Sequence, residues 1–380
     1  MDVRIGIAAL ILFVCTTQGL RSHEAAPRQA TDVDKVVDAA VEAFRKTAPQ
    51  VPGLSIGVLK NGKAYTYNFG SMEKGGQVRV GRDTVYPIAS VSKTFTGTLL
   101  AIAVQEGKAK FEDDVRKYLD GEYPNLEYQG HPIRLEYLVN HNSGLPFNLP
   151  DIPENRPPFP PAGGDTKQLL RNYERKNFLA DLHKVEIQAT PGEKFSYSNS
   201  AAVLLSIVLE RIYGMPYEEI VKKKIAEPLG MENTTITVSA EQAKRLATGY
   251  DENGAPQDYP FDMLLGAGAL RSTTADLLRY AQWETAEQAP VVRMTHERRF
   301  VLTPNFSVGL NWQMLQSGAY RRIWQEGNLP GFMSMCATFP ELKLAVVVLA
   351  NEDDPESSHA LTVLTAEIAK GLDARSASLF

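Results

Sequence analysis

The chain has 380 residues, 43% hydrophobic and 22% charged, enough apolar material for one large or two modest domains of a soluble globular protein. Its 40 Lys and Arg against 45 Asp and Glu give a formal net charge of -5. With no long basic run, the electrostatic footprint of a nucleic-acid binder is missing.

Residues 1–20 read as a secretory signal peptide: a short start with Arg4, an apolar run from Ile5 to Val14, then small or polar residues. The run is too short to span a bilayer comfortably. Asp2 weakens the basic start, which keeps a disordered or membrane-tethered N-terminus as the alternative. Val14 is larger than the residue expected before a lipidated cysteine, which argues against an anchor at Cys15. A secreted or periplasmic location follows from the signal reading. Its removal leaves Cys336 as a lone thiol, read as a small buried hydrophobe, so stability must come from core packing.

Residues 21–30 form a linker. Val33, Val36, Val37, Ala40, Val41 and Phe44 then mark one face of a helix capped by Thr31 or Asp32. Leu54–Leu59 and Ala64–Phe69 flank Asn61-Gly62, a hairpin signal. Ser55 sits in a G-x-S-x-G match, but it continues into a strand and a tight turn instead of a helix, so it reads as a strand serine. Ser71-Met72-Glu73-Lys74 matches Ser-x-x-Lys, yet it runs into Gly75-Gly76 and a loop.

Tyr86–Gly107 differs from both: an apolar approach leads to Ser90, then Lys93, then Phe95, Leu99, Ile102 and Ala103 at helical spacing, with Gly107 as the stop. A helix beginning near Ser90 places Lys93 one turn on and on the same face. A serine needs a base to become a nucleophile, and a lysine buried in an apolar wall can serve. The plainer reading of Ser90 is an ordinary helix cap.

Phe111–Leu119 reads as a helical piece, followed by a loop with Tyr123-Pro124-Asn125. His141 to Pro146 forms a helix end and turn; His141 is of a type that titrates near neutral pH, but nothing places it beside Ser90 in sequence, so a structural hydrogen-bonding role is preferred to a catalytic one. Leu149–Gly164 is a proline-rich loop, either a cleft cover or a solvent excursion. Helices are expected over Thr166–Leu182, Ser200–Tyr213 and Tyr217–Ile225. Before the second of these, Tyr197 and Asn199 stand two apart on an extended segment, so a phenol and an amide face one way. A nearby ammonium would lower the phenol's pKa and make it a usable general base. Thr273 and Asp276 open another helix as a capping-box variant. Strands are expected over Ser307–Met314, Tyr320–Trp324, Phe332–Phe339 and Leu344–Leu349, closed by a helix over Ser358–Leu372.

This order implies an α+β fold: an antiparallel sheet flanked by helices and built from both chain ends (31–90 and 265–380), with a mainly helical inserted domain (91–264) and the active site between them. The six histidines show no zinc-ligand spacing, and no metal or cofactor is expected.

The residues 52–63 (PGLSIGVLKNGK), 88–97 (IASVSKTFTG), 141–146 (HNSGLP), 191–201 (PGEKFSYSNSA), 227–235 (EPLGMENTT) and 327–334 (GNLPGFMS) together resemble the serine β-lactamase and penicillin-binding-protein superfamily. The likeness is strongest to its class C β-lactamase branch with related esterases and D-peptidases. The resemblance implies that Ser90 forms an acyl-enzyme, that Lys93 and Tyr197 shuttle the proton, and that Asn199 hydrogen-bonds the substrate amide. It also puts the third motif at Gln325-Glu326-Gly327, with the Asn328 and Ser90 N–H groups as the oxyanion hole. Gln325 and Glu326 depart from the Lys or His and the hydroxyl residue usual there, which grip a substrate carboxylate. The expectation is therefore a serine hydrolase of small-molecule or peptide substrates, with esters or amides lacking a free carboxylate favoured. A true class C β-lactamase or D-Ala-D-Ala carboxypeptidase, or a non-catalytic peptidoglycan or peptide binder, is the alternative.

Overall fold

A computed structural model describes residues 31–156, 164–257 and 261–380. The signal peptide and linker, and 157–163 of the proline-rich loop, lie outside these.

Helix α1 (Asp32–Thr47) starts at Thr31, whose hydroxyl accepts the Asp34 N–H while the Asp34 carboxylate accepts the Thr31 N–H, a reciprocal cap that satisfies two orphan donors. Strands β1 (Gly53–Lys60) and β2 (Lys63–Gly70) pair across Asn61 and Gly62, both at positive φ, as a two-residue hairpin with right-handed twist requires. Then come α2 (Ser92–Gln105), α3 (Asn199–Tyr213) and α4 (Thr274–Ala286). The second half of the sheet follows: β3 (Phe300–Val301), β4 (Phe306–Gly309), β5 (Trp312–Ser317), β6 (Tyr320–Leu329), β7 (Phe332–Phe339) and β8 (Leu344–Ala350), with α5 (Pro355–Leu372) last.

These strands make one eight-stranded antiparallel sheet in the order β2-β1-β8-β7-β6-β5-β4-β3. The amino-terminal hairpin thus docks on the last strand, as the pattern of strands at both chain ends predicts. Residues of β8 alternate between two cores: Val346 and Val348 join α1 and Ile368 of α5, while Val347 and Leu349 join Leu277 of α4 and the helical region beyond it. A central strand covered on both faces reads as a continuous apolar run, and LAVVVLA is one.

Several segments differ from expectation. Phe111–Leu119 holds only a short turn at Val115–Tyr118. There the Asp113 carboxylate accepts the Lys110 N–H at 2.8 Å and the Asp114 carboxylate accepts the Arg116 N–H at 2.9 Å, local bonds that compete with helix formation. The helix expected over 166–182 is two, Gly164–Arg171 and Arg175–Leu182, the second opened by a Glu174–Asn177 capping box. Asp276 does not reciprocate the Thr273 cap, its carboxylate instead accepting from the Asn233 N–H and the Thr234 hydroxyl. The strand expected over 307–314 is broken by Leu310-Asn311, both at positive φ. Tertiary bonds fix that turn: the Leu310 N–H donates to Asn140 Oδ1, and the Asn311 amide donates to the Lys93 carbonyl at 2.8 Å. Finally β6 runs to Leu329, five residues beyond expectation.

The Leu310 turn packs on α2 at Gly97, where an added Cβ would lie 2.0 Å from the Leu310 carbonyl oxygen. Gly97→Ala must push α2 off the sheet edge, at a cost of ~1–3 kcal/mol typical of overpacking. Thermal melts should show the variant less stable; an unchanged midpoint contradicts this packing.

Candidate active site

Ser90 sits in a single 3₁₀ turn, Ala89–Val91, and α2 proper begins at Ser92. The nucleophile candidate therefore precedes the helix instead of opening it. Ala89 is held at φ 46°, a left-handed conformation that L residues adopt at a cost of ~1–2 kcal/mol. Neighbours fix the approach to it: the Ile88 N–H donates to the Leu270 carbonyl at 2.9 Å, and the Ser334 hydroxyl donates to the Ile88 carbonyl at 2.7 Å.

Lys93, in the first turn of α2, is fully buried. Its Nζ lies 2.9 Å from Ser90 Oγ and 2.7 Å from the Ala267 carbonyl oxygen. Among the described residues no carboxylate pairs with it, and burial pushes its pKa well below the usual lysine value. An amine that gives one N–H to the carbonyl can turn its lone pair on the Ser90 hydroxyl.

Tyr197 reaches the same point from the segment before α3. Its phenol is in hydrogen-bonding reach of the Ser90 hydroxyl, Lys93 Nζ lies 4.9 Å from its ring centroid, and the Gln325 amide approaches its oxygen at 3.5 Å. The expected lowering of its pKa is not found. Burial, reinforced by the Glu326 charge, raises the phenol above its ordinary value, against the Ser90 and Gln325 hydrogen bonds. The reason is that the cation meant to lower it is absent: Lys93 is itself driven toward neutrality, and Gln325 supplies a dipole where a charge would be needed. The resting phenol thus keeps its proton, and of the two groups it is the Lys93 amine that burial moves toward its neutral form.

His141 supports this tyrosine. Its ring stacks on the phenol with centroids 4.2 Å apart, its carbonyl accepts the Ser196 N–H at 2.6 Å, and its Nδ1 accepts the Ser198 N–H at 3.3 Å. The residues on either side of Tyr197 are thus both tied to one histidine. Burial, aided by the neighbouring Lys93, pushes the His141 imidazole down to about 3, so it is neutral at physiological pH.

Asn199, the first residue of α3, donates its amide to Asn148 Oδ1 at 2.8 Å, and Asn148 donates in turn to the Asn155 carbonyl. Opposite runs β6. Its pairing with β5 stops at Trp324, while its pairing with β7 continues to Leu329, leaving 325–329 with one free flank. Gly327 comes so near the serine turn that an added Cβ would sit 2.6 Å from the Ser90 nitrogen and 2.8 Å from the Ala89 Cβ. Leu329 and Phe332 flank the two-residue turn into β7 and form a hydrogen-bonded pair. Asn328, opposite Met333, is then a non-hydrogen-bonded position whose N–H turns away from β7 to the serine side. The Asn328 side chain donates to the Ser358 hydroxyl. Gln325 is buried and Glu326 exposed; Glu326 makes no ion pair among the described residues, and desolvation raises its carboxyl more than Arg322 lowers it.

Of the eight residues expected from sequence, Ser90, Lys93, Tyr197, Gln325 and Gly327 therefore meet at one point, with Asn199 two residues beyond Tyr197 at the start of α3; strand alternation turns the side chains of Glu326 and Asn328 to the other face of β6, with Trp324 and Ser358. The other serines do not join them: Ser55 is buried against the Tyr86 hydroxyl, and Ser71 donates to the Glu73 carbonyl. Asn125 ties down the Leu182 and Val185 carbonyls, Tyr123 stacks on His183, and Cys336 is buried. Sequence reasoning missed Asn148 and the Ala267 carbonyl. The second is a backbone group, which no side-chain pattern can announce.

The family described as Beta-lactamase matches residues 33–370. A beta-lactamase of Pseudomonas fluorescens is 27% identical over 370 residues, covering 86% of this chain and 96% of that protein. The D-alanyl-D-alanine-carboxypeptidase/endopeptidase AmpH of Escherichia coli K12 is 27% identical over 315 residues, 78% of each chain. A crystal structure of a beta-lactamase/D-alanine carboxypeptidase from Yersinia pestis superposes with a TM-score of 0.75 at 26% identity, covering 89% of this chain and 99% of that one. With a match spanning nearly the whole described chain, the protein belongs to the beta-lactamase family.

Proposed function

We propose that this protein is a serine hydrolase that works through an acyl-enzyme at Ser90 and favours esters or amides without a free carboxylate. The observation that carries the reading is the buried Lys93 amine, 2.9 Å from the Ser90 hydroxyl and with no counter-ion among the described residues. A binding protein has no use for a desolvated lysine aimed at a serine.

In this reading neutral Lys93 takes the Ser90 proton as Oγ attacks the acyl carbon. The oxyanion is received by the Ser90 and Asn328 N–H groups, and the close approach of Gly327 keeps β6 near enough for both to reach it. Collapse breaks the bond to the leaving group, which takes a proton from the Tyr197 phenol while the Lys93 ammonium makes that loss good. Asn199, fixed by Asn148, orients the acyl side. Water, deprotonated through the same pair, then releases the acyl group. Every proton returns to its starting atom, so no cofactor is consumed.

The substrate preference rests on Gln325 and Glu326. A neutral amide and a carboxylate on β6 offer a substrate carboxylate no cation and one like charge. The relatives named as beta-lactamase and D-alanyl-D-alanine carboxypeptidase support those activities as the second reading, which Gln325 and Glu326 argue against. Export to the periplasm or beyond is part of the proposal, consistent with the apolar amino-terminal run.

Three outcomes test this. A fluorophosphonate probe should label the wild type and not Ser90→Ala, while Lys93→Ala should slow acylation by about 10²–10⁴-fold with the fold intact; equal labelling of Ser90→Ala, or near-normal turnover by Lys93→Ala, overturns the assignment. The kcat/KM profile should fall on its acid side as Lys93 gains a proton, with a midpoint well below the ordinary lysine pKa. Because His141 is already neutral there, His141→Asn, an exchange that suits its positive φ, should leave that midpoint in place even if the rate drops; a shifted or vanished limb would assign it to the histidine. Finally, the double variant Gln325→Lys, Glu326→Thr should gain ~10–100-fold on a chromogenic cephalosporin, the worth of a charged hydrogen bond. No gain would mean that β6 does not set carboxylate preference.

A further inference from the structure

Lys93 is held at both ends. Its amine meets the Ser90 hydroxyl and the Ala267 carbonyl, and at the root of the side chain its own backbone carbonyl accepts the Asn311 amide at 2.8 Å. Asn311 belongs to the tip of the β4–β5 hairpin. Gly309 pairs with Trp312, so Leu310 and Asn311 are the two-residue loop, at φ 44° and 71°. Asparagine tolerates such a left-handed position, but glycine satisfies it without burying a polar side chain. Here the side chain is buried: Asn311 is 1% exposed, and its Oδ1 has no hydrogen-bond partner among the described residues. The hairpin needs neither the buried amide nor its unsatisfied oxygen, so the side chain calls for another explanation.

The same tip touches the wall that carries the tyrosine. The Asn311 N–H donates to the Val139 carbonyl at 2.7 Å, and the Leu310 N–H donates to Asn140 Oδ1 at 3.2 Å. His141, next in the chain, accepts the Ser196 N–H and stacks on the Tyr197 ring. One residue therefore bonds to the lysine's helix through its side chain and to the tyrosine's support through its backbone.

We infer that Asn311 is a positioning residue, which holds the Lys93 backbone against the Val139–His141 segment and so sets where the amine stands between Ser90 and Tyr197. The inference rests on the hydrolase reading above and deepens it. A lysine amine ends a flexible four-carbon stem, so hydrogen bonds at Nζ alone leave its line of approach to Ser90 Oγ free to drift with the helix. Anchoring the carbonyl removes that freedom. Proton transfer requires hydrogen-bond reach, and a misplacement of ~1 Å costs on the order of 10²-fold in rate.

Asn311→Gly tests this, because glycine keeps the left-handed turn and the N–H bond to Val139 and removes only the amide. The readout is the second-order rate of Ser90 labelling by a fluorophosphonate probe in wild type, Asn311→Gly, Lys93→Ala and the double variant. Asn311→Gly should label ~10–100-fold more slowly than wild type. The same exchange should alter the slow residual rate of Lys93→Ala by less than about twofold, because a residue that acts through the amine has nothing to place once the amine is gone. A merely structural residue would slow both backgrounds alike. Asn311→Ser, whose hydroxyl stops one bond short of the amide, should show the same pattern and replaces Asn311→Gly if that variant does not fold. A rate within about twofold of wild type, or an equal loss in both backgrounds, overturns the inference and leaves the hydrolase reading standing. Wild type that is not labelled at Ser90 overturns both.

Discussion

A lysine amine in an apolar wall without a counter-ion is the constraint on which the site depends. Water would hold this group charged; the protein gives it a carbonyl oxygen, a serine hydroxyl and the face of an aromatic ring. Removing a charge from water without a partner is costly enough that the group gives up its proton instead. The same burial that moves the amine toward its neutral form also aligns it, since the atoms around it include the Ser90 hydroxyl.

The rest of the cleft follows from keeping that arrangement dry and narrow. The 3₁₀ turn ahead of α2 is held in a left-handed conformation at Ala89 by bonds from β7 and from Leu270, so Ser90 projects from a fixed position. Strand β6 can pass beside it only because residue 327 has no Cβ and because its pairing with β5 ends three residues earlier. That early end leaves backbone groups free on the serine side, where a sheet interior would have consumed them in a ladder. His141 performs a comparable service for Tyr197, tying down the N–H groups on both sides of it while its ring lies against the phenol.

Much of this was legible in the amino-acid sequence, and the limits have physical causes. Ser90 and Lys93 could be found because helical spacing is local: a serine and a lysine three apart with an apolar helix behind them have one arrangement available. Tyr197 and Asn199 yielded to the same kind of reasoning, and Phe332–Phe339 emerged with its observed bounds because its alternation is buried on both faces. The ionisation of Tyr197 was misjudged since a pKa depends on what burial removes, and the pattern shows neighbours without showing water. The Leu310-Asn311 turn carries no glycine or proline and is fixed by Asn140 and the Lys93 carbonyl, partners far away in the chain. Phe111–Leu119, expected as a helical piece, holds only the Val115–Tyr118 turn, because Asp113 and Asp114 spend their carboxylates on nearby backbone N–H groups.

The central claim is that Lys93 is a neutral amine at rest. Carbon-13 labelling of lysine Cε, with Lys93→Arg to assign the resonance, measures it directly by titration of the chemical shift. The account predicts one lysine whose shift is that of a free amine at neutral pH and which takes up its proton far below the others, with Tyr197 still protonated throughout that range. A Lys93 resonance that moves with the surface lysines, near ~10.4, would contradict it.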